Sequence, residues 1–209
     1  MSSYRYLSTA EAATLIRKAL KDAFPLAKFS VRSSRGGSVD IYWTDGPTRA
    51  RVEAVAGNFA GGGFDAMIDL GYSIYHWVQP DGTVSMAYTD GTAGSGGIVQ
   101  ARSFPMPEGG AELVHFASRS VGTHRAYSAS MLERAIRETR IHWGLDADEM
   151  PVVAHHDFDG GAYLKGGTGF PRNDPGSPSH VVDLVHVAIR SQNGPLNGKP
   201  KASRGPREE

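Results

Sequence analysis

The sequence contains no cysteine, which excludes disulfide bonds and thiolate metal sites. It also contains no apolar run near the ~20 residues that a membrane-spanning helix needs. The first residues, MSSYRYLSTAEAA, lack the basic and apolar regions of a secretory signal. These absences predict a cytoplasmic protein that does not associate with a membrane. Its 209 residues are enough for one domain, or two small ones, with a buried core.

The net charge is zero, because 22 basic residues balance 22 acidic residues. The charge is unevenly spread: residues 1–40 hold seven basic and three acidic side chains (+4), and residues 41–98 hold two and six (−4). Nucleic-acid-binding proteins usually have a concentrated basic patch. The sequence predicts weak nucleic-acid binding at most, because a solvated helix face and hairpin explain the same cations. The candidate cations are Arg17, Lys18, Lys21, Arg32 and Arg35.

The first ninety residues alternate between helical and strand patterns. Ser8 and Glu11 form a capping-box pattern, followed by apolar residues at helical spacing, and Pro25 predicts that this helix ends near Phe24. Alternating runs on either side of Gly36 predict a hairpin, and a second one surrounds the turn QPDG at 79–82. Between them, apolar residues from Val52 onward predict another helix.

The predicted fold class is α+β. Residues 1–91 are expected to form an antiparallel sheet with helices on one face, in the order α-β-β-α-β-β. A glycine-rich segment then leads to a smaller β-α-β unit over residues 98–190, in which Ser128 or Ser130 caps the helix. Residues 179–190 fit either a helix or a strand. Residues 191–209, rich in Gly, Pro, Lys and Arg, are predicted to be disordered.

The stretch DIYWTDGPT, at 40–48, is open to two interpretations. Trp43 shares the inward register of Val39 and Ile41, which favours a core position over a ligand platform. Pro47 suits the first position of a helix, and Asp45 could accept hydrogen bonds from the free amides of that helix start. The residue types are those that a strand–turn–helix junction needs, so a structural bend is favoured over a binding site.

No strong catalytic motif is present. Asp65 and Asp69, four residues apart in FDAMID, would share a face if this segment were a helix, and two carboxylates so placed can bind a cation or divide acid and base roles. A solvated turn is the favoured alternative for such a pair. His155 and Asp157 could share one face of a strand, but the sequence has no HExxH spacing, no phosphate-binding loop and no G-x-S-x-G elbow. The sequence therefore predicts neither a metal site nor a cofactor.

A family resemblance adds to this interpretation. The AFP helix end, KFSVRS, GSVDIYWTDGP and FDAMID resemble the pattern of large polyvalent protein-associated domains, which occur in proteins of phages and conjugative elements. HRAYSASMLERAI and VVAHHDFDGGAYL resemble the second half of that pattern, so the resemblance covers roughly residues 7–165. It implies an accessory factor that helps incoming DNA become established or evade host defence. It supplies no catalytic residues.

Three functions remain open at this point. The favoured one is a non-catalytic accessory protein that binds a host or mobile-element protein, with a role in counter-defence. The alternatives are a weak nucleic-acid-binding module and an enzyme whose site lies between the two halves, formed by His124, Arg125, Tyr127 and Asp157 with Asp65 or Asp69. The predicted binding residues are Trp43, Asp45, Phe64, Asp65, Asp69, His124, Arg125, Tyr127 and Asp157.

Overall fold

The computed structural model describes residues 3–148, 150–156, 161–166 and 185. Contacts along the chain divide it into two compact units, Met1–Arg125 and Ala126–Glu209. Helices and antiparallel strands are both present, which confirms the α+β class. The domain boundary predicted between residues 91 and 98 stays a prediction.

The described residues form three α-helices and eleven β-strands. The helices are α1 (Thr9–Ala23), α2 (Arg49–Ala56) and α3 (Ala129–Trp143). The strands are β1 (Arg5–Leu7), β2 (Ser30–Ser33), β3 (Ser38–Thr44), β4 (Gly62–Asp65), β5 (Leu70–Val78), β6 (Val84–Thr89), β7 (Arg102–Ser103), β8 (Glu112–Phe116), β9 (Ser120–Ala126), β10 (Val152–His155) and β11 (Ala162–Lys165). In this part of the chain, no helix has both the length and the apolarity to cross a membrane.

Helix α1 begins and ends as the sequence predicts. The Ser8 hydroxyl accepts a hydrogen bond from the Glu11 amide, and the Glu11 carboxylate accepts one from the Ser8 amide at 2.9 Å. This reciprocal pair satisfies amides that have no partner inside the helix. The helix ends at Ala23, just before Phe24 and Pro25. Its buried face consists of Ala12, Ala13, Ile16 and Leu20.

Both predicted hairpins are present, and they lie in different sheets. Strands β2 and β3 pair antiparallel and are joined by β9 in a three-stranded sheet. Strands β5 and β6 belong to a six-stranded sheet in the order β1-β8-β5-β6-β7, with β4 also pairing with β5. Strands β8 and β9 come from beyond the glycine-rich segment. Their pairing with β5 and β3 is what gives each hairpin its own sheet.

The core of the first unit lies between α1, α2 and the strands. Trp43 is only 4% exposed, which confirms its predicted inward register on β3. Its neighbours in the core come from both sheets and both helices, so one apolar cluster holds the unit together. Besides Trp43, the buried members of this cluster include Leu7, Ile16, Leu20, Ile41, Val52, Phe59 and Phe116.

Two local predictions are wrong. Thr48, not a residue before Pro47, caps α2: its hydroxyl accepts a hydrogen bond from the Arg51 amide, and the helix begins at Arg49. Pro47 therefore lies outside the helix. The helical interpretation of FDAMID is wrong and the alternative of a turn is correct, because Asp65 ends β4 and Asp69 lies in the following turn with a φ of 53°. The two carboxylates do not share a helix face.

The second unit is built around α3. Ser128 is the N-cap, and Gly144, with a φ of 60°, ends the helix in the left-handed conformation that glycine adopts without strain. Strands β10 and β11 form an antiparallel hairpin, and α3 contributes Leu132 and Ala135 to a core that also contains Met150 and Val185. Asp157, the other residues of 179–190 and the tail 191–209 lie outside the described residues.

Candidate functional site

The turn after β3 is held in place by two side chains. The Trp43 ring N–H donates a hydrogen bond to the Pro47 carbonyl oxygen at 3.0 Å. Asp45 and Gly46 both have a positive φ, of 56° and 58°, so the turn needs residues that tolerate the left-handed region. Arg125 donates to the Asp45 carbonyl oxygen at 3.1 Å and to the Gly46 carbonyl oxygen at 2.9 Å. WTDGP is thus a braced bend, with Trp43 inside the core.

Asp65 is a buried carboxylate that connects distant parts of the first unit. It accepts hydrogen bonds from the Thr92 hydroxyl at 2.5 Å and from the Ile98 and Met67 amides at 3.0 Å each. The bond from Thr92, followed by that from the Ile98 amide, holds the pKa of Asp65 below its ordinary value. A side chain at Gly97 would collide with both Thr92 and Asp65. Asp65 therefore fixes the loop 91–99 against the end of β4.

Around Asp65, the structure exposes a group of large apolar side chains. Phe64 is 62% exposed, Met67 74% and Ile98 70%, and Ile68 and Leu70 are also exposed. Four of these residues, Phe64, Met67, Ile68 and Leu70, lie on the hairpin formed by β4 and β5, and Ile98 is joined to this hairpin through Asp65. We call this group, consisting of Phe64, Met67, Ile68, Leu70 and Ile98, the β4–β5 tip.

His124 lies on the three-stranded sheet with partners from β3. Its Nε2 atom is 3.0 Å from an oxygen of Asp40, and its ring stacks on Tyr42 with centroids 4.6 Å apart. A side chain at Gly122 would meet the carboxylate of Asp40 and displace it from His124. Arg32 lies over the Tyr42 ring at 5.2 Å from its centroid. The result is a row of polar and aromatic groups on a half-exposed sheet surface.

The family described as Large polyvalent protein associated domain 29 matches residues 7–128, which is more than half of the chain. The chain belongs to this family. Membership associates the protein with phages and other mobile elements. No curated protein and no solved structure matches the sequence.

The matched region contains the braced bend, the β4–β5 tip and His124, all in the first unit. The resemblance of VVAHHDFDGGAYL to the family pattern lies beyond residue 128 and stays a prediction. Tyr127, another predicted site residue, packs against the core of the second unit. The enzyme hypothesis, which joins residues of both units, also stays a prediction. Among the described residues, no three His, Asp or Glu side chains are placed to hold a metal ion.

Three of the five candidate cations for nucleic-acid binding have other contacts in this family member. Arg17 donates to the Val31 carbonyl oxygen at 2.8 Å, and Lys18 forms a salt bridge with Asp22 at 2.9 Å. Arg32 rests on Tyr42, while Lys21 and Arg35 are exposed. Because three of the five cations are engaged within the protein, fewer of them are available to contact phosphates than the sequence alone indicates.

The sequence predicts Phe64, Asp65 and Asp69 as binding residues, but no motif predicts the other parts of this site. Thr92 lies in a glycine-rich segment with no motif, and Met67, Ile68 and Ile98 carry no signal that separates exposed from buried apolar residues. One available clue is that a short acidic and apolar segment, bounded by glycines at 61–63 and 71, is poorly suited to a long buried helix.

Proposed function

We propose that this protein is a non-catalytic accessory protein of a mobile element that binds a host or element protein through the β4–β5 tip. Its binding would serve the establishment of the element or counter-defence against the host. The single observation that carries the proposal is the exposure of Phe64, Met67 and Ile98 on one rigidly supported hairpin and loop.

Exposed apolar side chains of this size are costly to leave in water when they are grouped. Scattered surface apolar residues are ordinary, whereas a contiguous group marks an interaction site or a risk of aggregation. Phenylalanine and methionine are also enriched at the centre of protein–protein interfaces. The composition of the tip therefore favours a protein partner.

The support beneath the tip favours binding as well. Three hydrogen bonds to Asp65 fix the turn at Met67 and the loop at Ile98 before any partner arrives. A preorganised surface loses little conformational entropy on association, so more of the contact free energy remains as affinity. A loose loop with the same residues would bind less tightly.

The test is affinity capture of the tagged full chain from host cells, with quantitative mass spectrometry of the proteins retained. The double variant Phe64→Ser/Met67→Ser should lose specific partners. The matched control is Leu26→Ser, because Leu26 is 99% exposed and lies outside the tip. Treatment with nuclease should leave the capture unchanged.

Two outcomes would contradict the proposal. Equal retention of every partner by the tip variant and the wild type would show that the tip is not the binding surface. Loss of all partners after nuclease treatment would show that nucleic acid, rather than protein, mediates the interaction.

A further inference from the structure

The β4–β5 tip has an unusual electrostatic setting. From Val52 to Ala101 the sequence contains no lysine or arginine, but it contains five carboxylates. They are Glu53, Asp65, Asp69, Asp81 and Asp90. Glu53 forms a salt bridge with Arg49, and the Lys18 side chain lies against Gly82 next to Asp81, so Asp65, Asp69 and Asp90 are the carboxylates that matter for the tip. An apolar surface whose own chain segment carries only negative charge discriminates among partners by their charge.

Two of these carboxylates lie on the same hairpin as the tip. Asp69 is exposed in the turn that carries Met67 and Ile68. Asp65 lies directly beneath, where its charge is stabilised by the Thr92 hydroxyl and by backbone amides. Hydrogen bonds of this kind hold a carboxylate in its ionised form without cancelling its net charge.

A third carboxylate, Asp90, is exposed at the start of the loop that carries Thr92 and Ile98. The next cation along the chain is Arg102 on β7, opposite Thr89. The negative charges of Asp65 and Asp69 thus lie at the apolar side chains, and the first positive charge in sequence lies on a different strand.

We infer that the partner of the β4–β5 tip is a peptide segment that combines apolar side chains with lysine or arginine. Its apolar residues contact Phe64 and Met67, and its cations lie near Asp69. An acidic segment of equal hydrophobicity is repelled. This inference rests on the proposed function, because it describes the chemistry of the same surface.

The experiment is selection of displayed random short peptides on the purified full chain, with parallel selection on Phe64→Ser/Met67→Ser. Sequences enriched on the wild type and absent from the variant should pair apolar residues with Lys or Arg. The affinity of one such peptide should fall as salt is raised. It should also fall about two- to fivefold in Asp69→Asn, the effect expected of one exposed ion pair.

Asn suits this position because it tolerates the positive φ of residue 69. Glu133→Gln removes the same charge from the exposed side of α3 and should leave the affinity unchanged. Tip-dependent peptides without cations, or equal affinity for Asp69→Asn and wild type, would overturn the charge inference while the proposed function stands. Selection of no tip-dependent peptide would overturn both.

Discussion

The hydroxyl of Thr92 donates a hydrogen bond of 2.5 Å to the buried carboxylate of Asp65. The two residues belong to different segments, one at the end of β4 and the other in the loop after β6. Phe64, Met67 and Ile98 around this pair face the solvent, while the Ile68 side chain reaches the loop at Gly97. The polar pair is therefore a main contact between the two segments.

Replacing Asp65 by Asn should lower the melting temperature. The amide NH₂ group would face donors that now point at a carboxylate, so at least one buried hydrogen bond would be lost. Thr92→Val, which keeps the side-chain shape, should act in the same direction. The control is Asp69→Asn, since Asp69 is exposed. Equal melting temperatures for Asp65→Asn and Asp69→Asn would contradict the structural role of Asp65.

The same carboxylate predicts a pH dependence. The pKa of Asp65 is lowered in the folded protein, chiefly by the hydrogen bond from Thr92, so its ionised form stabilises the fold. This contribution is present above the unfolded pKa, near the ordinary value of 3.8, and is lost as the pH falls through the lower folded value. Acid unfolding below about pH 4 should therefore be weaker in Asp65→Asn than in the wild type.

His76 predicts a second pH dependence at higher pH. Burial, with a smaller contribution from His115, lowers the pKa of His76 from 6.5 to about 4. The unfolded chain binds a proton below pH 6.5, whereas the folded chain binds it only near pH 4. The free energy of unfolding should therefore fall by about 3 kcal/mol as the pH is lowered from 6.5 to about 4.

Denaturant titrations at several pH values between these limits would measure the effect. His76→Leu should flatten the dependence, because His76 is 1% exposed and an apolar side chain suits its site. His124→Gln is the control, since His124 lies half-exposed beside Asp40. A slope that persists in His76→Leu would show that another group causes it.

Trp43→Ala should cost about 3–5 kcal/mol of stability, as for other buried aromatic residues. Trp43→Phe should cost about 1 kcal/mol, because it keeps most of the ring and removes the hydrogen bond to Pro47. Thermal melts of both variants would test these values. If Trp43→Ala melted like the wild type but lost binding, the interpretation of WTDGP as a structural bend would be wrong.

Binding to duplex DNA should be weak and should fail at physiological salt. If it occurs, Lys21 and Arg35 should carry it, since Arg17, Lys18 and Arg32 have contacts within the protein. Each phosphate contact contributes a log–log salt slope of about −0.9. Gel shifts at two salt concentrations decide the matter. Tight, salt-resistant and sequence-selective retention would contradict the preference for a protein partner.

The accuracy of the sequence predictions follows the range of the interactions involved. The cap of α1, the two hairpins and the inward register of Trp43 depend on neighbouring residues, and local patterns predicted all of them. The apolar spacing in FDAMID also fits a helix, but pairing of β4 with β5 forces a turn there. Pairing partners that are distant in sequence were not predictable, because periodicity does not specify them.

In the candidate site, too, local features were predictable and long-range contacts were not. Polar character identified Asp65 and Asp69, but the partner of Asp65 lies 27 residues away and contacts it only in the folded unit. The solvent exposure of the tip was not predictable either, because a sequence shows which residues are apolar but not which of them remain exposed in the folded protein.

The parallel pairing of β1 with β8 has a consequence for synthesis on the ribosome. Arg5 aligns with Val114, so the first strand emerges long before the strand that it pairs with. Helix α1 and the β2–β3 hairpin can form early from local contacts. The six-stranded sheet cannot be completed until residue 116 has left the exit tunnel. During that interval Leu7, which is buried in the finished unit, is open to solvent and to chaperones.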